Sequence, residues 1–217
     1  MSLPSLRLKA NADRRLRAGH LWVYSNEIDV AATPLAGFAP GDQAILEAAG
    51  GKPLGVVAMS PNNLICARLL SREVKHILDK SLLVHRLNVC LSLRERLFDK
   101  PFYRLVYGDS DLLPGLVVDR FGDQVVVQLA SATMEHHKHD VVEALVQVLK
   151  PAGILLRNDA SSRDAEGLPR YVDTAYGQVP DWVALEENGV KFEAPVREGQ
   201  KTGWFYDHRM NRARLAP

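Results

Sequence analysis

Apolar positions change their period near residue 73, and that change divides the chain. Before it, apolar residues fall in short alternating runs at 5–9, 21–24, 43–48, 54–59 and 64–70, broken by Gly, Pro and Asn. Alternation with this punctuation predicts short strands, and their even spacing predicts a small β-barrel. A basic helix or turn at 12–18 ends at Gly19. After the change, Val74, Ile77, Leu78, Leu82, Leu87, Leu91 and Leu97 recur near a helical turn with no internal Gly or Pro, predicting one amphipathic helix over 74–97. Strands follow at 102–107, 115–119 and 124–129, with Phe121-Gly122-Asp123 as the hairpin turn. A helix over 133–149 stops at Lys150-Pro151-Ala152-Gly153. A buried strand at 154–157 comes next, then a hairpin of 183–187 with 190–193 around Asn188-Gly189, the strongest hairpin signal in the chain. The fold class is therefore α+β in three parts: a small β-barrel domain (1–72), a central strand-helix-strand domain (73–182), and a C-terminal β-hairpin with a linker helix (183–217).

Composition adds little to this picture. The 217 residues are 47% hydrophobic and 24% charged, the mix of an ordinary globular chain. No apolar run approaches the roughly 18 residues that cross a bilayer, and the N-terminus has no signal-peptide pattern, so a cytoplasmic protein with no membrane partner is expected. Cys66 and Cys90 sit in apolar stretches without a CxxC partner, which predicts buried thiols.

Charge changes the picture more. The net charge is +1, yet residues 1–20 carry Arg7, Lys9, Arg14, Arg15 and Arg17 against Asp13 alone. Residues 197–217 carry Arg197, Lys201, Arg209, Arg212 and Arg214 against Glu198 and Asp207. Basic ends suit a local phosphate-binding surface and a solvated terminal face equally well.

Four stretches are candidates for chemistry. In RRLRAGHLWVYSNEI (14–28), Arg14, Arg15 and Arg17 offer guanidinium groups to phosphates. Gly19 permits close backbone approach, while His20, Trp22 and Tyr24 offer flat faces to bases, the combination used on single-stranded RNA. The same aromatics could instead be core. Asp109 and Asp111 precede Pro114-Gly115, which fits the centre of a type II turn, and two carboxylates fall short of a calcium set. His136, His137 and His139 lack the i, i+4 pairing of a helical zinc site, so no metal is expected. In EGQKTGWFYDHRMNR (198–212), two glycines bracket Lys201 and Thr202. Asp207 can cap a helix starting at His208, and Arg209 and Arg212 share one face of it.

The last segment closely resembles EGQKTGxFxDQRxNR of the ribosomal large-subunit methyltransferase I family, cytosine-C5 methyltransferases acting on large-subunit rRNA. RRLRAGHLWVYSNEI resembles the N-terminal PUA motif of that family, YGDSDLLPGLVVDRFGD its central-domain signature, and VALEENGVKF its hairpin. The resemblance runs from about Leu6 to Arg214. It implies an N-terminal PUA-like barrel that binds RNA through Arg14, Arg15, Arg17, Gly19, His20 and Trp22, then a central domain of EEHEE-like order. It implies a C-terminal Rossmann-like domain binding S-adenosylmethionine (SAM), with Lys201, Thr202, Asp207 and Arg209 near the cofactor pocket or its domain interface. The family's catalytic cysteines lie in that third domain, so no catalytic residue is assigned and neither Cys66 nor Cys90 takes their part. No Gly-x-Gly-x-x-Gly occurs in the chain. The expectation is the RNA-handling front half of a SAM-dependent rRNA methyltransferase, with large-subunit rRNA as partner and a homodimer open. By itself it should bind no cofactor and transfer no methyl group. A stand-alone RNA-binding adaptor is the alternative, and a small metal-dependent hydrolase using Asp109, Asp111 and the histidines a remoter one. His208 stands where the family has Gln, and Leu21 where it has Pro.

Overall fold

A computed structural model describes residues 3–215, so Ala216 and Pro217 at the end of the linker helix expected over 183–217 lie outside the described residues. The first sheet holds β1 (Ser5–Arg7), β2 (Trp22–Tyr24), β3 (Gln43–Glu47), β4 (Pro53–Met59) and β5 (Ile65–Ser71) in the order β1-β3-β4-β5-β2. Strand β3 shows why these residues form strands: Ala44 and Leu46 point inward while Gln43, Ile45 and Glu47 stay half-exposed. The bridge between Leu8 and Ile28 joins the continuations of the two outer strands, which closes the sheet towards a barrel. Leu6, Leu8, Leu16, Val23, Ile28, Leu46 and Met59 fill its interior. The short helix α1 (Arg14–Arg17) contributes only Leu16 to that core.

The second sheet has the order β10-β9-β8-β7-β6, built from β6 (Phe102–Tyr107), β7 (Leu116–Phe121), β8 (Gln124–Leu129), β9 (Gly153–Asn158) and β10 (Tyr171–Gly177). Only β8 and β9 run parallel, joined through α3 (Ala132–His136) and α4 (Lys138–Leu149). Parallel neighbours require such a crossover. One face of the sheet packs against α4 and α2 (Lys80–Leu97), and this core includes Val56, Ala58 and Leu70 of the first sheet. The other face, through Phe121, Val126 and Leu155, is covered by the hairpin β11 (Trp182–Glu187) and β12 (Val190–Pro195). The architecture is thus mixed α and β around two sheets. Three strands precede the α3/α4 crossover, so the order is longer than EEHEE.

Several expectations are corrected. Helix α2 begins at Lys80 rather than near Val74, because Asp79 caps it: its carboxylate accepts the Leu82 amide at 2.8 Å. Val74 and Ile77, whose spacing suggested helix, are exposed loop residues. Leu78 is instead pinned by Gln43, which accepts from its amide at 2.7 Å and donates to its carbonyl at 3.1 Å. The single helix expected at 133–149 breaks at His137, with α3 capped by Ser131. Asp207 caps nothing: a 3-10 turn (Tyr206–His208) leads into α5 (Arg209–Leu215) without a side-chain cap. Strand β10 went unpredicted.

Polar contacts tie the two sheets together. Glu166 accepts from Asn63 Nδ2 at 2.8 Å, Ser60 Oγ at 3.2 Å and the Ala132 amide at 3.4 Å. Buried Arg86 of α2 donates to the carbonyls of Leu70 and Leu112. Such buried polar contacts hold the first sheet in a defined place against the second.

Candidate nucleic-acid interface

The basic turn α1 and strand β2 form one exposed surface. Arg14, Arg17, Gly19, His20 and Trp22 are exposed, and Arg15 is half-buried. Trp22 is 40% exposed, which removes the alternative that it belongs to the core. Local pairs orient the cations. Arg17 Nε donates to Asp13 at 2.5 Å, and that bond holds the Asp13 carboxyl below its ordinary pKa. Arg14 donates to Asn11 Oδ1 at 3.2 Å. Arg15 lies 4.8 Å over the Tyr24 ring and 3.3 Å from Glu27, whose carboxylate also accepts the Tyr24 amide at 2.8 Å. Arg15 is thereby a strut under the surface more than a free cation. Arg72 donates to the Leu16 carbonyl at 2.9 Å and fastens α1 to the end of β5. Gly19 turns the chain from α1 into β2 at φ +107°, a conformation that L side chains rarely adopt.

Register exposes a residue that the sequence reading missed. Trp22 stands opposite Arg68 of β5, and Arg68 stands opposite Ala58 of β4. Forty-odd residues separate Trp22 from Arg68, and no motif links them; only the strand pairing could have found it.

The C-terminal segment is organised by two buried carboxylates. Asp119 of β7 is fully buried, receives Arg104 at 2.8 and 2.9 Å, and accepts the Thr202 hydroxyl at 2.6 Å. Glu187 of β11 is also shut off from solvent. It accepts from Arg212 Nε at 2.6 Å, Trp204 Nε1 at 3.2 Å and Arg209 Nε at 3.4 Å. Burial pushes its pKa up, but the hydrogen bonds from Arg212 and Trp204 and the charges of Arg212 and Arg209 outweigh burial and leave it below the ordinary glutamate value. Arg209 also donates to the Phe102 carbonyl at 2.5 Å and lies 4.6 Å over Phe98.

Of the four residues expected near a cofactor, two are therefore spent inside the fold. Thr202 is fully buried on Asp119, and Arg209 is held by Glu187. Only Lys201, at φ +56°, and Asp207 of the four are exposed to solvent.

Among the remaining candidates, Asp111, His137 and His139 are engaged in ion pairs. Asp111 grips Arg94 at 2.7 and 3.0 Å and accepts the Tyr107 amide at 2.7 Å. His137 faces Asp140 at 3.0 Å, and His139 faces Glu143 at 2.9 Å. Among the described residues no group of three or more His, Cys, Asp or Glu is placed to hold a metal ion. Burial pushes the Cys66 thiol up to about 11 and the Cys90 thiol to about 12, so neither is a thiolate near neutral pH. No helix among the described residues is long and apolar enough to cross a membrane.

The chain is similar to several known proteins. Residues 6–72 match a family described as PUA-like domain. The chain is similar to ribosomal RNA large subunit methyltransferase I of Tolumonas auensis, 37% identical over 212 residues that cover 95% of this chain and 52% of that protein. The protein of the same name from Vibrio cholerae is 35% identical over 214 residues, 96% of this chain and 53% of that one. The chain thus spans about half the length of the curated relatives it matches. Among solved structures, a proposed SAM-dependent methyltransferase from Streptococcus mutans superposes with a TM-score of 0.81 at 22% identity, covering 98% of this chain and 54% of that one. A second proposed methyltransferase, complexed with SAH, gives 0.80 at 21% identity, covering 99% and 53%. At those identities the shared property is the fold.

Proposed function

We propose, from the premise that this chain is a relative of the ribosomal RNA large subunit methyltransferase I proteins over about half of their length, that it captures ribosomal RNA for SAM-dependent methylation. The observation that carries the reading is the exposed group of Arg14, Arg17, His20 and Trp22 on the PUA-like domain. Cations supply affinity for the phosphate backbone, and the indole supplies a flat apolar face for an unpaired base.

The parts divide the work. Residues 1–72 bind RNA; residues 73–182 form the central domain that positions them; residues 183–217 form a ribbon whose exposed Lys201 and Asp207 face a cofactor-bearing unit. Thr202 and Arg209 serve that unit indirectly, by holding the ribbon in shape. Large-subunit rRNA in the cytoplasm is the proposed partner, the cytosine-C5 position the proposed target, and SAM the methyl source in the whole protein. The chain itself acts on the RNA by binding and orienting it.

The test is fluorescence anisotropy of the purified chain with a hairpin RNA bearing a single-stranded loop, repeated over a salt series. Salt-sensitive binding is expected. In parallel, calorimetric titration with SAM is expected to give no binding heat, and tight SAM binding by this chain would overturn the division of labour.

A further inference from the structure

The first sheet carries a row of side chains that crosses four strands. Gln43 of β3, Ala58 of β4, Arg68 of β5 and Trp22 of β2 stand opposite one another in register, so all four project from the same face. The inner end of the row is packed: Gln43 holds Leu78 and reaches His137 of the central unit at 3.3 Å, and Ala58 lies in the core shared by the two sheets. The outer end is open, with Trp22 exposed at the edge strand. Arg68 is the step between them, about 5 Å from the neighbouring strand on either side.

Arg68 is unusual among the half-buried arginines of this protein. Arg7, Arg15, Arg94, Arg104, Arg197, Arg209 and Arg212 each meet a carboxylate, and Arg120 donates to the Gly122 carbonyl and the Tyr103 hydroxyl. Arg68 is half-buried yet has no hydrogen-bond or ion-pair partner among the described residues, and its nitrogens are not among the buried unpartnered atoms. Its guanidinium nitrogens therefore keep contact with solvent although the residue as a whole is half-buried. A cation on a half-buried side chain loses less side-chain freedom on binding than a freely solvated one.

We propose that Arg68 and Trp22 form a single nucleotide-binding step for single-stranded RNA, the Trp22 indole stacking a base and the Arg68 guanidinium taking an adjoining phosphate. The step deepens the RNA-capture reading and rests on it. Three observations favour it over a protein partner: a planar five-donor group lies beside an open indole, no exposed aliphatic side chain shares the row, and the basic turn α1 immediately precedes β2. The strand would run from Arg14 and Arg17 across Trp22 towards the boundary with the central unit, with Arg68 marking the inner limit of the path.

Salt dependence separates the two roles. Anisotropy titrations with a short single-stranded RNA are run for the unaltered chain and for W22A, R68M, R68K and R96M. Arg96 is exposed on α2, away from this row, and serves as the charge-matched control. W22A is expected to weaken binding about tenfold with an unchanged salt slope, since stacking releases no counterions. R68M is expected to weaken binding several-fold and lower the slope by about 0.7, the loss of one single-strand phosphate contact. R68K is expected to keep the slope, and R96M to match the unaltered chain. Circular dichroism of R68M and W22A checks that the sheet remains folded; should R68M unfold, R68Q, which removes the charge and keeps a polar head, carries the same slope comparison against R68K. If the unaltered chain binds and R68M behaves as R96M does, this step is wrong while RNA capture stands. If the unaltered chain binds no RNA even at low salt, RNA capture itself fails.

Discussion

Two buried carboxylates decide what the C-terminal residues can do. Glu187 gathers Arg209, Arg212 and Trp204, and Asp119 gathers Arg104 and Thr202. Replacing Glu187 with Gln leaves two arginines uncompensated; because both keep some solvent exposure, the expected loss is about 2 kcal/mol, less than for a fully buried pair. Urea denaturation followed by tryptophan fluorescence measures it. The pH dependence has a definite sign. The Glu187 pKa lies below its ordinary value in the folded chain, so its contribution is present above pH of about 4.5 and is lost as pH falls through the folded pKa. The E187Q chain should therefore lose less stability than the unaltered chain on acidification below that value, and parallel acid limbs would contradict the assignment. The motif EGQKTGWFYDHRMNR was legible as an unusual density of polar, aromatic and Gly residues. That Thr202 and Arg209 turn inward was not, since their partners lie far away in sequence and only the fold brings them together.

Elements were legible where one face is buried and the other is not. Strand β3 alternates cleanly, and the Asn188-Gly189 turn fixes the β11–β12 register. Strand β10 has no buried residue along its length, so it carries no inside-outside alternation to read; it exists because β9 offers it a backbone ladder. The α2 boundary shows the opposite failure. Val74 and Ile77 continue an apolar period that the backbone abandons, because Asp79 supplies a cap and Gln43 holds Leu78 outside the helix. Removing the cap as D79A is expected to cost about 1 kcal/mol and to raise hydrogen exchange in the first turn of α2. An unchanged exchange pattern there would mean that packing of Leu83 and Leu87, rather than the cap, sets the start.

At the scale of the whole molecule, the first sheet and the central sheet share one core and are latched by Glu166 at the chain segments around Ser60, Asn63 and Ala132. Replacing Glu166 with Ala should raise hydrogen exchange in those segments without melting either sheet, because the apolar core between the two is untouched. The function rests on a simpler claim: that the surface around α1 and β2 holds RNA by its phosphates and an unpaired base. The most direct measurement is the salt dependence of RNA affinity for the unaltered chain beside a variant with Arg14→Ser, Arg17→Ser and Trp22→Ser. A straight loss of log affinity with log salt is expected for the first. At least tenfold weaker binding and a slope smaller by about 1.4, two single-strand phosphate contacts, are expected for the second. Equal affinities and equal slopes for the two chains would contradict RNA capture by this surface.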